Sequence, residues 1–303
     1  MPPQRSEAWY TASMNGWKLG VTGANVRHLI RMLKQGRRPA AAVYDSLGSE
    51  FFLSPAPGWL NLGLWEGAGD AQEAEAAVHR MVGTLASHLP SGGSIVDVGN
   101  GLGAQDLVID EKISPRLLVA INITESQLRA GRERLYAARA CPVVADAVQL
   151  PVRSHEIDGV ISVEAAFHFS SRQRFFSEVR RVLCSGGRLA MSDISVERRR
   201  PRSLSEAVAG LFNLRTWGVK RSSLQSSAEI GTLLSDLGFT DIAIRSVGER
   251  VFPPAIAFMR KRLEGSSNAP PIQRFGAKLL LDQWELLHQR GMMDYILVTA
   301  MST

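Results

Sequence analysis

The sequence predicts an α/β fold: one mainly parallel sheet, covered by helices on both faces, with a ligand-binding turn at the end of a strand. Two observations carry this. From about residue 92 onward, short apolar runs alternate with helical patterns, the rhythm of strand–helix–strand units. Within the first unit, the stretch "IVDVGNGLGAQD" (Ile95–Asp106) passes from apolar residues through glycines at 99, 101 and 103 into helix-forming sequence. The length of 303 residues allows one large core or two modest ones.

Taken in order, residues 1–40 hold one amphipathic helix. Val26, Leu29, Ile30 and Leu33 follow helical spacing, between an Asn25 cap and a Gly36 stop. Aromatic-rich "VYDSLGSEFF" and "WLNLGLWEG" fill residues 41–69, and residues 71–89 read as a helix entering the core. Strands are expected at 94–99, 117–122, 142–145, 158–163 and 188–194, and helices near 103–112, 124–139 and 171–185. Thr124 with Gln127 and Ser170 with Gln173 have capping-box spacing. The helix near 171–185 buries Phe175, Phe176, Val179, Val182 and Leu183 and stops at Gly186–Gly187. Then the rhythm breaks: helical insertions are expected at about 203–221 and 253–290, with two last strands at 240–251 and 294–302. The domain reading is an N-terminal helical and aromatic cap, residues 1–69, followed by a ligand-binding domain, residues 70–303.

Composition narrows the class. About 45% hydrophobic and 21% charged residues is ordinary for a soluble globular protein. No apolar run approaches the ~20 residues of a membrane span, and the start lacks a secretory signal. Cys141 and Cys184 form no close-spaced ligand pair, which argues against a disulfide scaffold or structural zinc and fits a reducing cytoplasm, and no residues are singled out as metal ligands. The net charge of +6 and pI near 9.7 come from scattered basic residues without a nucleic-acid-binding motif. They read as a solvated arginine-rich surface, so a small molecule rather than nucleic acid is the expected partner. A homo-oligomer is compatible with this sequence.

The glycine turn fits G-x-G-x-x-G/A through Gly99, Gly101 and Ala104, but two neighbours are wrong for a dinucleotide. Asp97 precedes the glycines, and the second strand ends in Asn122 where an acid usually holds the ribose. A carboxylate there would repel a diphosphate and attract a cationic amino acid. S-adenosylmethionine, which carries an ammonium and a sulfonium, suits this turn better than NAD.

These residues resemble those of class I SAM-dependent methyltransferases. "VDVGNGLGAQD" looks like their first motif, "VVADAVQLPVRSHEIDGVISVEAAFHF" like their second and third blocks, and "VRRVLCSGGRLAMSD" like the helix, Gly-Gly turn and fifth strand that follow. The match covers about residues 92–194. It implies a Rossmann-like, seven-stranded sheet ending in an antiparallel pair, with helices on both faces and helical lid insertions, and S-adenosylmethionine as cofactor, released as S-adenosylhomocysteine. "NLGLWEG" and "SVEAAFHF" narrow the resemblance to small-molecule enzymes: sterol and tocopherol C-methyltransferases, the rebeccamycin sugar O-methyltransferase and the geranyl diphosphate C-methyltransferase.

By that resemblance, Asp97, Gly99, Asn100 and Gly101 hold the amino-acid end of the cofactor. Asn122 and Gln127 reach the ribose, although Gln127 has an equal explanation as a helix cap. Asp146 and Ala147 hold the adenine. Asn100 replaces the usual Cys, Ser or Thr, and Asn122 replaces an acid common elsewhere in the superfamily. Glu164 and His168, beyond the fourth strand, are the reactive candidates, and Glu164 also counts as a cofactor contact. Glu164 resembles the catalytic Glu of the geranyl diphosphate enzyme, and His168 the His of the sugar enzyme, with Asp193 as its orienting partner. Tyr44, Trp65, Phe169 and Trp217 are read as walls of the substrate pocket. The expected activity is C- or O-methylation of a hydrophobic natural product. Its alternatives are methylation of a prenyl diphosphate, or a cyclase or isomerase that keeps the cofactor without transferring methyl. RNA methylation would need a base-clamping motif after the fourth strand, which is absent.

Overall fold

The computed structural model describes residues 55–216, 223–265 and 271–303. The expected helix at 25–36, with Tyr44, Phe51, Phe52 and Trp217, lies outside them. Seven strands form one sheet: β1 Ser94–Val98, β2 Leu117–Asn122, β3 Ala140–Val144, β4 Ile157–Val163, β5 Leu183–Ser195, β6 Phe239–Ser246 and β7 Asp294–Ser302, in the order β3-β2-β1-β4-β5-β7-β6. β1 to β5 pair in parallel, and β7 runs antiparallel between β5 and β6. The chain winds outward in both directions from the neighbours β1 and β4, so the strand order reverses between their carboxyl ends, where ligands of such sheets sit.

Helices cover both faces. α1 Ala74–Ala86, α2 Ala104–Ile113, α3 Glu125–Ala137, α7 Phe252–Gly265 and α8 Pro271–Gln289 contribute to a core that includes Ile95, Ile161 and Tyr295. α4 Arg172–Val182 and α6 Ser227–Asp236 close the other face over Val96, Val98, Val160 and Met191. The period-2 split of Ile95 from Val96 places β1 between two cores, which is why its five residues are all buried. α5 Leu204–Thr216 follows β5 and packs on α8 through Ala209 and Leu287. Among the described residues, the two expected insertions thus contain the helices α5, α7 and α8. Residues 55–65 join the first core through Trp59, Leu62, Leu64 and Trp65.

Local expectations at three helix ends need correction. α4 ends at Val182, because Leu183 turns extended and pairs with Ile157, so the Gly186–Gly187 pair lies inside the irregular start of β5. The α4 cap is Ser171, whose side chain accepts from Arg174 N, one residue after the expected Ser170. At α3, Thr124 occupies the cap position without a side-chain cap bond; its own amide instead donates to Asn122 Oδ1 at 2.9 Å.

Candidate functional site

The glycine turn closes β1 and opens α2. Gly99, Gly101 and Gly103 all have positive φ, of 82°, 62° and 79°, which only glycine adopts without strain. At Gly99 the need is also spatial: a Cβ would lie 2.6 Å from the Ala165 Cβ. The turn is therefore bare backbone facing the β4 end. The half-buried Phe169 ring, read as a wall of the substrate pocket, stands beside it, 3.6 Å from the same point.

Beneath the turn lie two fully buried acids, Asp97 and Asp106. Gln105 Nε2 donates to both oxygens of Asp97, at 2.8 and 2.7 Å. Asn100 Nδ2 donates to Asp106 Oδ2 at 3.1 Å, while Asp106 Oδ1 is buried without a partner among the described residues. Burial, reinforced by the neighbouring Asp106, pushes the Asp97 carboxyl well above the usual range. Burial likewise pushes Asp106 up to about 7, against the Asn100 amide. No sequence signal singles out Gln105 or Asp106, since an acid in a first helical turn is explained by the helix dipole alone.

Asn122, read as reaching the ribose, directs its amide to partners within the chain. Its Nδ2 donates to Gln127 Oε1 at 2.9 Å and to the Gly101 carbonyl at 3.3 Å, and approaches Asn100 Oδ1 at 3.4 Å. Asn100, Asn122 and Gln127 thus form one buried amide network that braces the turn. Asp146 is exposed beyond β3, its Oδ1 accepting from Val148 N at 3.1 Å, and Ala147 is buried beside it.

At the β4 end, Glu164 has φ of 51°, a left-handed conformation that costs a non-glycine residue about 1–3 kcal/mol and clusters at functional sites. Its amide donates to the Ser192 carbonyl and to Ser192 Oγ, both at 3.0 Å. Its Oε2 accepts from Leu62 N and from the Tyr295 hydroxyl, each at 2.8 Å. Burial pushes this carboxyl up to about 8, against those two donors. Ser192 and Tyr295 escaped the sequence reading because, within strands, both alternate as core positions.

Two expectations fail here. Asp193 does not orient His168. It is fully buried in an ion pair with Arg172, whose Nε donates to Oδ2 at 2.7 Å, and Oδ1 accepts from the Phe167 and Ile194 amides at 3.0 and 2.9 Å. A buried guanidinium with a planar fork outcompetes an imidazole for that carboxylate. His168 is half-buried, its ring 3.8 Å from that of Phe167. Trp65 is no pocket wall. It is 1% exposed, its ring tilted against Phe258 at 5.6 Å and its Nε1 donating to the Leu62 carbonyl. The run "NLGLW" has no sign of which rings face inward, and Trp65 falls on the side that packs under α7.

The arrangement fits the expected cofactor. Bare turn backbone at Gly99 and, among the described residues, a buried carboxylate oxygen on Asp106 without a partner and no basic side chain bonded to the turn's acids suit a cationic amino acid and not a diphosphate. Among the described residues, no three His, Cys, Asp or Glu side chains are grouped to hold a metal, and no helix is long and apolar enough to cross a membrane.

Comparison with known proteins agrees. Residues 96–191 match a family model described as a methyltransferase domain. The erythromycin 3''-O-methyltransferase of Saccharopolyspora erythraea is 27% identical over 250 residues, 78% of this chain and 79% of that one. Among solved structures, the mycolic acid cyclopropane synthase CmaA1, complexed with S-adenosylhomocysteine, aligns with a TM-score of 0.73 at 20% identity, covering 87% of this chain and 97% of that one. The [4+2]-cyclase SpnF aligns with a TM-score of 0.66, also at 20% identity, over 88% and 97%. With its domain match, its relatives and its sheet in accord, the chain is a class I S-adenosylmethionine-dependent methyltransferase.

Proposed function

We propose that the chain methylates a hydroxyl oxygen of a largely apolar natural product, with Glu164 taking the hydroxyl proton. Asp97, Gly99, Asn100 and Gly101 hold the amino-acid end of the cofactor, Asn122 and Gln127 shape the ribose side, and Asp146 with Ala147 receives the adenine. S-adenosylmethionine supplies the methyl group from its sulfonium. The chain's own tasks are then to align the acceptor and remove one proton. The oxygen gains a carbon bond and loses its bond to hydrogen, and the proton passes to a carboxylate Oε of Glu164.

The observation that carries this reading is the state of Glu164. It is held in a strained backbone conformation at the strand-order reversal, and its carboxyl is pushed up to about 8. A base is most effective when its pKa lies near the working pH. His168, four residues on, lines the acceptor side. The 3''-O-methyltransferase named above supports oxygen over carbon.

The test is incubation with cofactor labelled in the methyl group and a panel of hydroxylated macrolides and polyketides. Label should appear in an ether methyl of the product. Glu164→Gln should lower kcat by about 10²-fold or more, with the dissociation constant for S-adenosylhomocysteine held within about threefold. Unlabelled, rearranged product would instead support a cyclase that retains its cofactor. Unchanged turnover in Glu164→Gln would remove that residue from the chemistry.

A further inference from the structure

We propose that Tyr295 of β7 is a positioning residue for methyl transfer: with Ser192 of β5 it holds the Glu164 carboxyl through Oε2 and reserves Oε1 for the acceptor proton. The inference rests on the reading of Glu164 as the base.

The geometry is a closed ring of hydrogen bonds. The Glu164 amide donates to Ser192 Oγ at 3.0 Å. The Ser192 and Tyr295 hydroxyl oxygens are 3.1 Å apart, and the Tyr295 oxygen is 2.8 Å from Glu164 Oε2. A phenol has one proton to give. When Tyr295 gives it to the carboxylate, the Ser192 proton turns to the Tyr295 oxygen, and the ring runs from the Glu164 amide back to the Glu164 side chain. Such a ring fixes both backbone and rotamer of one residue, and it opposes the strain of a φ of 51° there.

Two features separate this from ordinary core packing. Tyr295 and Ser192 are both 0% exposed, so neither hydroxyl exchanges its partner for bulk water. The Leu62 amide also donates to Oε2, so the bonds made to this carboxylate among the described residues converge on a single oxygen. The charged group that faces Glu164 from the neighbouring strand is Asp193, which works in the opposite sense to the donors. Asp193 is itself tied to Arg172. Tyr295 remains a neutral donor, because burial and Glu164 both push its phenol further up.

Tyr295→Phe keeps the ring that packs edge-on against Phe252 at 6.0 Å and deletes only the donor. The experiment follows the Glu164 side-chain carbonyl carbon by NMR in full-length, unliganded protein labelled with [δ-13C]glutamate, the signal being assigned by its loss in Glu164→Gln. The titration midpoint should rise by about one pH unit in Tyr295→Phe, because a bond to the charged form is lost. It should rise by less in Ser192→Ala. With the acceptor that takes label in the assay above, kcat should fall about tenfold and its acid limb should move to higher pH, while KM stays. A packing role alone would lower the melting temperature and leave the midpoint in place. An unmoved midpoint in a folded Tyr295→Phe overturns the proposal. If that variant does not fold, an unmoved midpoint in Ser192→Ala does so. Failure of the base itself would show separately, as undiminished turnover in Glu164→Gln.

Discussion

Replacing Arg172 by leucine isolates the role of Asp193. Arg172 is 3% exposed. Its guanidinium donates to Asp193 Oδ2 at 2.7 Å, to the Ile194 carbonyl at 2.9 Å and to the Ser223 carbonyl. It therefore pins the end of β5 to the segment that leads into α6. Leucine fills much of the volume but leaves the fully buried Asp193 carboxylate with only the Phe167 and Ile194 amides. Breaking a buried pair from one side costs about 3–5 kcal/mol, most of it the charge left behind. For a domain of this size that is a fall in melting temperature of roughly 6–12 °C. Asp193→Asn removes the charge and should cost about 1–3 kcal/mol. The double variant should be less destabilised than the sum of the two, because the orphaned charge has gone. Urea denaturation of the four proteins gives the cycle. If Arg172→Leu costs less than about 1 kcal/mol, or the two changes add, the ion pair is not what holds this strand end. If Asp193→Asn abolishes turnover at an unchanged melting temperature, Asp193 belongs to the chemistry after all.

Two further outcomes follow from the cofactor side. Gly131 lies in α3, where an added Cβ would meet the Leu102 carbonyl oxygen at 2.5 Å; Gly131→Ala should push the glycine turn, lowering stability by about 1–3 kcal/mol and weakening S-adenosylhomocysteine binding in calorimetry, and an unaffected dissociation constant would show that the turn yields freely. Burial raises both Asp97 and Asp106, Asp106 to about 7, so Asp106 holds a proton at pH 6 that a cationic ligand must expel. S-adenosylmethionine affinity should then rise from pH 6 to pH 8, by up to about tenfold per unit for each proton released, and a flat affinity over that range would refute the assignment of these acids to the cofactor.

The parts of the molecule that repeat a period were legible. Strand and helix order from 94 to 194, and the last pair of strands, follow from apolar runs and glycine stops, because burial on two faces leaves few other patterns. The positions of Gly99 and Glu164 were legible too, since both sit where a strand hands over to a turn. What failed was the choice among partners. The resemblance pairs the acid at 193 with His168, whereas Arg172 reaches it from a helix whose sequence shows only an amphipathic pattern. Trp65 was assigned to a pocket because it is aromatic, yet its ring packs against Phe258, nearly two hundred residues on. Capping at Thr124 was displaced by Asn122, a side chain just outside the helix. Each miss is a tertiary contact overriding a local preference, and no local pattern encodes it.

The site's charge pattern ties binding to chemistry. Three carboxyls, the buried Asp97 and Asp106 and the half-buried Glu164, stand near the carboxyl ends of the neighbouring strands β1 and β4 or in the first turn of α2. Burial raises all three, and among the described residues the ion pairs of this chain involve none of them. Buried acids without a cation cost stability as pH rises through their folded pKa values, because the charged form is disfavoured. For Glu164 that window reaches about 8. Asp193 shows that this fold can supply an arginine to a buried acid when the role is structural. Its absence from the other three leaves them to a ligand that brings positive charge of its own. On the proposed reading of Glu164 as the base, a sulfonium cofactor answers that need and, by favouring the ionised form of Glu164, makes more of that base available when the methyl donor is present.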